Sequence, residues 1–158
     1  PKGSVPLLEL DNGERLSEGP AIVQYIADQV PAKNLAPANG TFARARLQEW
    51  LNFITSELHK GYSPLFNPKT PDEYKTIARE NLAKRYAYVE SQLAGKQYTM
   101  GDTFSVADAY LFTVSTWAKH VGVDLSGLPN VQAFMARMSA RPAVIAALTA
   151  EGLIKAAA

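Results

Sequence analysis

The chain has 158 residues, 47% of them apolar and 20% charged, with 16 basic against 15 acidic side chains and no cysteine. A formal charge of +1 gives no electrostatic reason for nucleic acid or an acidic membrane surface as a partner. Without cysteine these residues hold no disulfide frame, thiolate metal site or cysteine nucleophile, and no apolar run reaches the roughly 18 residues of a membrane span.

The length suits one domain, or one domain plus part of another. The opening at Pro1, without an initiator Met, reads as the middle of a longer protein. Val5-Pro6-Leu7-Leu8-Glu9-Leu10 predicts a short strand, Asp11-Asn12-Gly13 a turn, and Glu14-Arg15-Leu16 the partner strand. Asn-Gly as a two-residue turn, both residues at positive φ, is the expected link. Pro6 lacks a ladder donor, which puts it at an edge or entry point. A two-stranded hairpin is marginal in water, so these strands need partners. Ser17 is the expected cap of a following helix, with Glu18 and Pro20 in its first turn. Ala21, Ile22, Tyr25, Ile26 and Val30 form its apolar stripe, and Pro31 stops it. Residues 31–40 have the composition of a linker.

Every later periodic segment is helical. The first runs from Thr41 to about Lys60, with Ala43, Leu47, Trp50, Leu51, Ile54 and Leu58 on one side; Gly61 and Pro64 are expected to break it. Thr70-Pro71-Asp72-Glu73 predicts a second start, capped by Thr70. That helix carries Tyr74, Ile77, Leu82, Tyr86, Val89 and Leu93 and ends at Gly95. Ser105 and Asp108 stand three apart before an apolar run, the spacing of a capping box with Asp in the usual Glu position. From Val106 to Trp117 the helix is apolar on every side, with Asp108 its one charge, so other elements must surround it. Pro129-Asn130 and Arg141-Pro142 open two more helices, the last through Leu148, and the alanine-rich tail is expected to fray. The architecture read from these signals is a hairpin plus helix, a linker, and a bundle of about five helices.

One face of the first bundle helix is polar. At roughly 100° per residue, Asn52, Ser56 and His59 fall within an arc of about 60°, with Lys60 beside them and Leu47, Ile54 and Leu58 nearly opposite. Pattern alone fits a solvated face, whose last-turn cations suit the helix dipole, as well as it fits a site.

The stretches P-K-G-S-V-P-L-L-E-L, D-N-G, S-E-G-P-A-I-V-Q-Y-I-A-D, W-L-N-F-I-T-S-E-L-H-K, G-D-T-F-S-V-A-D-A-Y-L-F and R-P-A resemble, in this order, the glutathione transferases, particularly the bacterial beta class. The resemblance spans essentially the whole chain; S-V-A-D is specific to the superfamily, and E-L-H-K tells more of the beta class. It implies a fold class: an α/β thioredoxin-like N-terminal domain followed by an all-α C-terminal bundle. Residues 1–30 would be the second half of the thioredoxin-like glutathione-binding domain, 31–40 the linker and 41–158 the helical domain. The residue that holds the glutathione sulfur, a Cys in the beta class and Tyr or Ser in others, is then expected upstream of Pro1.

The resemblance also implies a site. Val5-Pro6 matches the family's cis-proline turn, whose backbone pairs with the cysteinyl part of glutathione. Glu18-Gly19 matches the binder of the γ-glutamyl end, and the physics agrees: N–H groups at a helix start favour a carboxylate, and Glu18 can take the ammonium. Many relatives place Ser where Gly19 stands; Gly19 supplies the backbone N–H without the hydroxyl. His59 and Lys60 would line the cleft near the sulfur as its catalytic pair, with His59 donating to a thiolate. Asn52, Ser56 and Glu57 complete the glutathione-binding set, some of it across a dimer interface. Phe53, Tyr62 and Phe66 are candidates for the wall of an acceptor pocket. Tyr110 and Trp117 read as core, and His120 as a helix-end histidine. The implied protein is a cytoplasmic homodimer that uses glutathione as co-substrate against a hydrophobic electrophile, in detoxification, with no metal or further cofactor. The alternatives are a non-catalytic assembly or ligand-carrier module, and a glutathione-dependent thiol or dehalogenating enzyme on the same scaffold.

Overall fold

The computed structural model describes residue 3 and residues 5–155. Strands β1 (Leu7–Glu9) and β2 (Arg15–Ser17) pair antiparallel, Leu7 with Ser17, Leu8 with Leu16 and Glu9 with Arg15. Their link is not a two-residue Asn-Gly turn. Gly13 N–H bonds the Leu10 carbonyl at 2.8 Å and Leu10 N–H the Glu14 carbonyl at 2.9 Å, and within the loop only Gly13 has positive φ, 83°. Asn12 is held by its own amide: Oδ1 accepts from Glu14 N–H and Nδ2 donates to Glu14 Oε2, both at 3.0 Å. That local bonding favours a longer loop with glycine alone in the left-handed position.

Helix α1 (Gly19–Gln29) starts one residue later than a Ser17 cap would place it. Glu18 takes the cap position at φ 74°, a conformation that costs a non-glycine residue on the order of 1–3 kcal/mol. A single 3₁₀ turn, Pro31–Lys33, follows. Residues beyond it are tied down: the Leu35 carbonyl accepts from Val106 N–H at 2.9 Å.

Helix α2 (Phe42–Phe53) is capped by Thr41, whose hydroxyl accepts from Arg44 N–H at 3.1 Å. It does not stop near Lys60. The rod continues through a π-helical segment, Ile54–His59, straight into α3 (Lys60–Phe66). Gly61 is a packing residue here: a Cβ on it would stand 3.0 Å from Leu82 Cδ2. Pro64 stops the helix only by degrees, two residues on at Phe66.

In α4 (Asp72–Leu93) Pro71, not Thr70, holds the cap position, and Asp72 and Glu73 supply first-turn acids. Ala78, Leu82, Tyr86, Val89 and Leu93 form its buried stripe; Tyr74 and Ile77, expected in that stripe, precede it and are half exposed. Helix α5 (Val106–Thr116) is the buried centre, packed against α1, α2 and the π segment. Its capping box forms, and the Asp108 carboxylate also accepts from Thr99 N–H at 2.7 Å. A one-turn helix, α6 (Ala118–Val121), ends at Gly122 and was not foreshadowed by any periodicity. Helices α7 (Pro129–Ser139) and α8 (Pro142–Ala150) complete the bundle, α8 running past Leu148. Glu90 of α4 caps α7 from outside, its oxygens taking the N–H groups of Asn130 at 3.0 Å and Val131 at 2.9 Å. The alanine tail at 156–158 lies outside the described residues.

The junction between α1 and α2 is closed by Arg44, which is 4% exposed. Its guanidinium donates to both Asp28 oxygens at 2.9 and 2.7 Å, to Gln24 Oε1 at 3.2 Å and to the Pro37 carbonyl at 2.9 Å. Among the described residues no helix is long and apolar enough to cross a membrane.

Candidate active site

Tyr110 and Trp117 are seven residues apart and so lie on one side of α5. That side meets the π segment. His59 Nδ1 stands 2.7 Å from the Tyr110 hydroxyl, and its ring packs edge-on against Trp117 with centroids 4.8 Å apart. The π segment explains this placement. Lys60 N–H bonds the Thr55 carbonyl, an i to i−5 closure, which sets the helix back by about one residue step, ~100°. His59 therefore turns from the Asn52 and Ser56 side toward α5.

The polar group expected on one face is accordingly divided. Asn52 and Ser56 are exposed, with Ser56 Oγ donating to the Asn52 carbonyl at 3.1 Å. Glu57 bridges from this side to α4, its Oε2 2.6 Å from Arg85 Nε and its Oε1 accepting from Ser56 Oγ at 3.5 Å. Lys60 is exposed, and its charge acts on His59.

Across the junction, the Val5–Pro6 peptide is cis and Val5 is exposed. Pro6 Cγ lies 3.9 Å from where a Cβ on Gly19 would stand, an ordinary contact, so a serine at that position would fit. Glu18 is exposed and close enough for its charge to act on Tyr110. Pro6 lies by Gly19, the Glu18 charge acts on Tyr110, and Tyr110 meets His59, so these groups mark out a polar strip from the hairpin to the first bundle helix.

Electrostatics favour neutral groups in this strip. Burial, helped by the Lys60 charge, holds His59 below the usual imidazole range. Burial, and to a lesser degree Glu18, pushes the Tyr110 phenol up against an opposing hydrogen bond from Thr55. At neutral pH the pair is an imidazole and a phenol.

From sequence Tyr110 and Trp117 read as core and Thr55 went unnoticed, whereas both aromatics meet His59. The seven-residue spacing of Tyr110 and Trp117, at the end of α5, is the signal that could have found the two aromatics; nothing marks Thr55. The proposed aromatic wall divides as well. Tyr62 is fully buried, its hydroxyl 2.9 Å from that of Tyr86. Phe66 is exposed and packs edge-on against Trp117 at 5.8 Å. Phe53, with Trp50 and Tyr88, lines a separate hollow of about 370 Å³. His120 is exposed in the last turn of α6.

A cis-proline hairpin and helix docked on an all-helical domain, with a polar strip at the junction, define the class of protein. Residues 53–142 match the profile of the glutathione S-transferase C-terminal domain, and the chain belongs to the glutathione S-transferase family. It is 50% identical over 153 residues to the glutathione S-transferase GstA of Escherichia coli O157:H7, covering 97% of this chain and 76% of that one. A sphingomonad glutathione S-transferase solved in complex with glutathione is 48% identical, with a TM-score of 0.91 over 96% of this chain and 76% of its own. The bacterial beta-class enzyme of Sphingomonas chungbukensis is 47% identical, with a TM-score of 0.92 over the same shares.

Proposed function

We propose that the protein is a glutathione transferase joining the glutathione sulfur to an apolar electrophile. The observation that supports this best is the strip from Pro6 and Gly19 through Glu18 to Tyr110 and His59. Its chemistry matches a zwitterionic tripeptide thiol at each end, and the sphingomonad relative holds glutathione. In this reading the Val5 backbone pairs with the cysteinyl unit. The start of α1 takes the γ-glutamyl carboxylate on its N–H groups, and Glu18 takes the ammonium. Residues 1–30, 31–40 and 41–158 are the glutathione-binding half-domain, linker and helical domain.

The thiol gives its proton to solvent, and the sulfur lone pair then forms a bond to the electrophilic carbon. The leaving group departs with its bonding pair or, in an addition, the adjacent atom takes a proton. A neutral His59 that accepts at Nδ1 from Tyr110 carries its hydrogen on Nε2, where it donates to the sulfur anion. Lys60 adds positive charge nearby. Phe66 and Trp117 wall the acceptor side. Asn52, Ser56 and Glu57 serve the glutathione site from its outer edge, completed by the partner in a homodimer. The role is detoxification in the cytoplasm, with no nucleic acid or membrane partner.

The test is retention of the intact protein on immobilised glutathione, followed by kinetics with a chlorodinitrobenzene. Glu18→Gln should raise the KM for glutathione with kcat little changed. His59→Gln should lower kcat about tenfold or more, because a hydrogen bond to a charged group contributes roughly 1.5–3 kcal/mol. No retention at millimolar glutathione would overturn the reading.

A further inference from the structure

A cavity of about 600 Å³ opens between α5, α6, the loop Gly122–Ser126 and α7. Phe112, Ser115 and Thr116 of α5 line it, and they are turned by roughly 140–240° from the side that carries Tyr110 and Trp117. It therefore lies across the central helix from the site above and does not depend on that site's function. Its volume is that of a small-molecule pocket. Phe112, Val123, Val131 and Met135 make its apolar wall.

One polar group stands at its base. Tyr62 O–H, Tyr86 O–H and Ser115 O–H form a buried chain, with Tyr62 donating to Tyr86 at 2.9 Å and Tyr86 to Ser115 Oγ at 3.0 Å. Three hydroxyls hold three hydrogens, and two bonds use two of them. The third sits on Ser115, which is 3% exposed and lines the cavity; among the described residues it meets no acceptor. Reversing the chain would strand that hydrogen on fully buried Tyr62, the costlier end. At the rim Lys119 makes no ion pair among the described residues, while the Asp124 carboxylate is held by Ser126 N–H at 2.8 Å. Opposite charges at the mouth favour neither anion nor cation.

We infer that this cavity binds a small, uncharged apolar molecule through one carbonyl-type acceptor taken by the Ser115 hydroxyl.

Benzophenone fits this description and labels its neighbours on irradiation. The intact protein, saturated with S-hexylglutathione, should be labelled on the peptide carrying Met135. Met135→Trp, which fills the cavity and leaves the hydroxyl chain alone, should abolish that label while circular dichroism and melting stay near wild type. Diphenylmethane, the same shape without the acceptor, should compete about fivefold more weakly than benzophenone, as expected for one net hydrogen bond. Ser115→Ala should remove that preference. Labelling confined to the Phe66 and Trp117 side, a label that survives Met135→Trp, or equal competition by ketone and hydrocarbon in the wild type would each overturn the proposal. Should Ser115→Ala fail to fold, because Tyr86 is left without its acceptor, the wild-type competition and the Met135→Trp result still decide.

Discussion

Burial and the Lys60 charge both lower the proton affinity of His59, burial the more. A base whose pKa falls on folding binds its proton better in the unfolded chain. The folded protein is thus at full stability above about pH 6.5, the ordinary imidazole value, and loses stability as pH falls through the lowered one. His59→Gln should flatten the fall of the melting temperature between about pH 7 and pH 5; an unchanged slope would place the titration elsewhere. Tyr110→Phe removes the partner of Nδ1 while keeping the ring. It should shift the imidazole nitrogen resonances in a tautomer-sensitive NMR spectrum and lower kcat severalfold, with little change in melting. Residue-scale sequence reading did best where the partner is local. The Ser105–Asp108 box follows from spacing, but the third donor to Asp108, Thr99 N–H, is nine residues away and left no mark in the pattern. Burial pushes the Asp108 carboxyl up in spite of those donors, so the box carries a desolvation cost that the motif alone hides. The His59–Tyr110 contact spans 51 positions, and nothing in either segment announces it.

Single elements show how one residue type can carry two meanings. Gly61 looks like a helix breaker and is the point where α3 meets α4. Gly61→Ala sets a helix-propensity gain of about 1 kcal/mol against crowding of Leu82, and should change stability little. Gly61→Val places two γ-methyls beyond the Cβ that already stands 3.0 Å from Leu82 and should cost about 2–3 kcal/mol in urea unfolding. The hairpin gives the opposite contrast. Its strands are three residues each, Leu7 is 53% exposed, and the sheet has two strands among the described residues. Amide hydrogens of Leu8 to Leu16 should exchange much faster than those of Leu111 to Ser115; equal protection would contradict the packing described. Element existence was legible because apolar periodicity and start signals agreed for each long helix. The ends were less so. Thr70 and Ser17 looked like caps, yet the backbone enters those helices through Pro71 and Glu18, since a helix start is fixed by the chain's approach path as well as by capping chemistry.

At the scale of the whole molecule, one guanidinium joins the two parts. Arg44 bonds α1 through Asp28 and Gln24 and the connecting segment through Pro37, which keeps the hairpin and α1 seated on the bundle. Arg44→Met leaves Asp28 without its cation. Because that carboxylate is about one-third exposed, water replaces part of the loss. The expected cost is about 2–3 kcal/mol, below that of a fully buried pair, with α1 amides losing protection before those of α5. Residues 31–40 have a linker's composition, and the Leu35–Val106 and Arg44–Pro37 bonds tie them to the bundle, which composition does not report. The order hairpin, helix, helical bundle was readable throughout, because each layer follows from local pattern. The strip joining Glu18, Tyr110 and His59 was not, because it exists only once α5 is inserted between α1 and the first bundle helix.

The Ile54–His59 segment stores an insertion in the middle of a rod, where loops ordinarily absorb them. Excising one residue there would leave the Thr41 cap and the amino-acid content nearly untouched. Because the closure at Lys60 already absorbs that extra residue, the shortened rod would wind as a plain α-helix, with Tyr62 and Leu65 still on the core and only the side chains inside the segment, His59 among them, re-aimed. Far-ultraviolet spectra would still report a full complement of helix while the imidazole–phenol pair was gone. A deletion that looks like tidying the helix would thus spare the fold and strike the site.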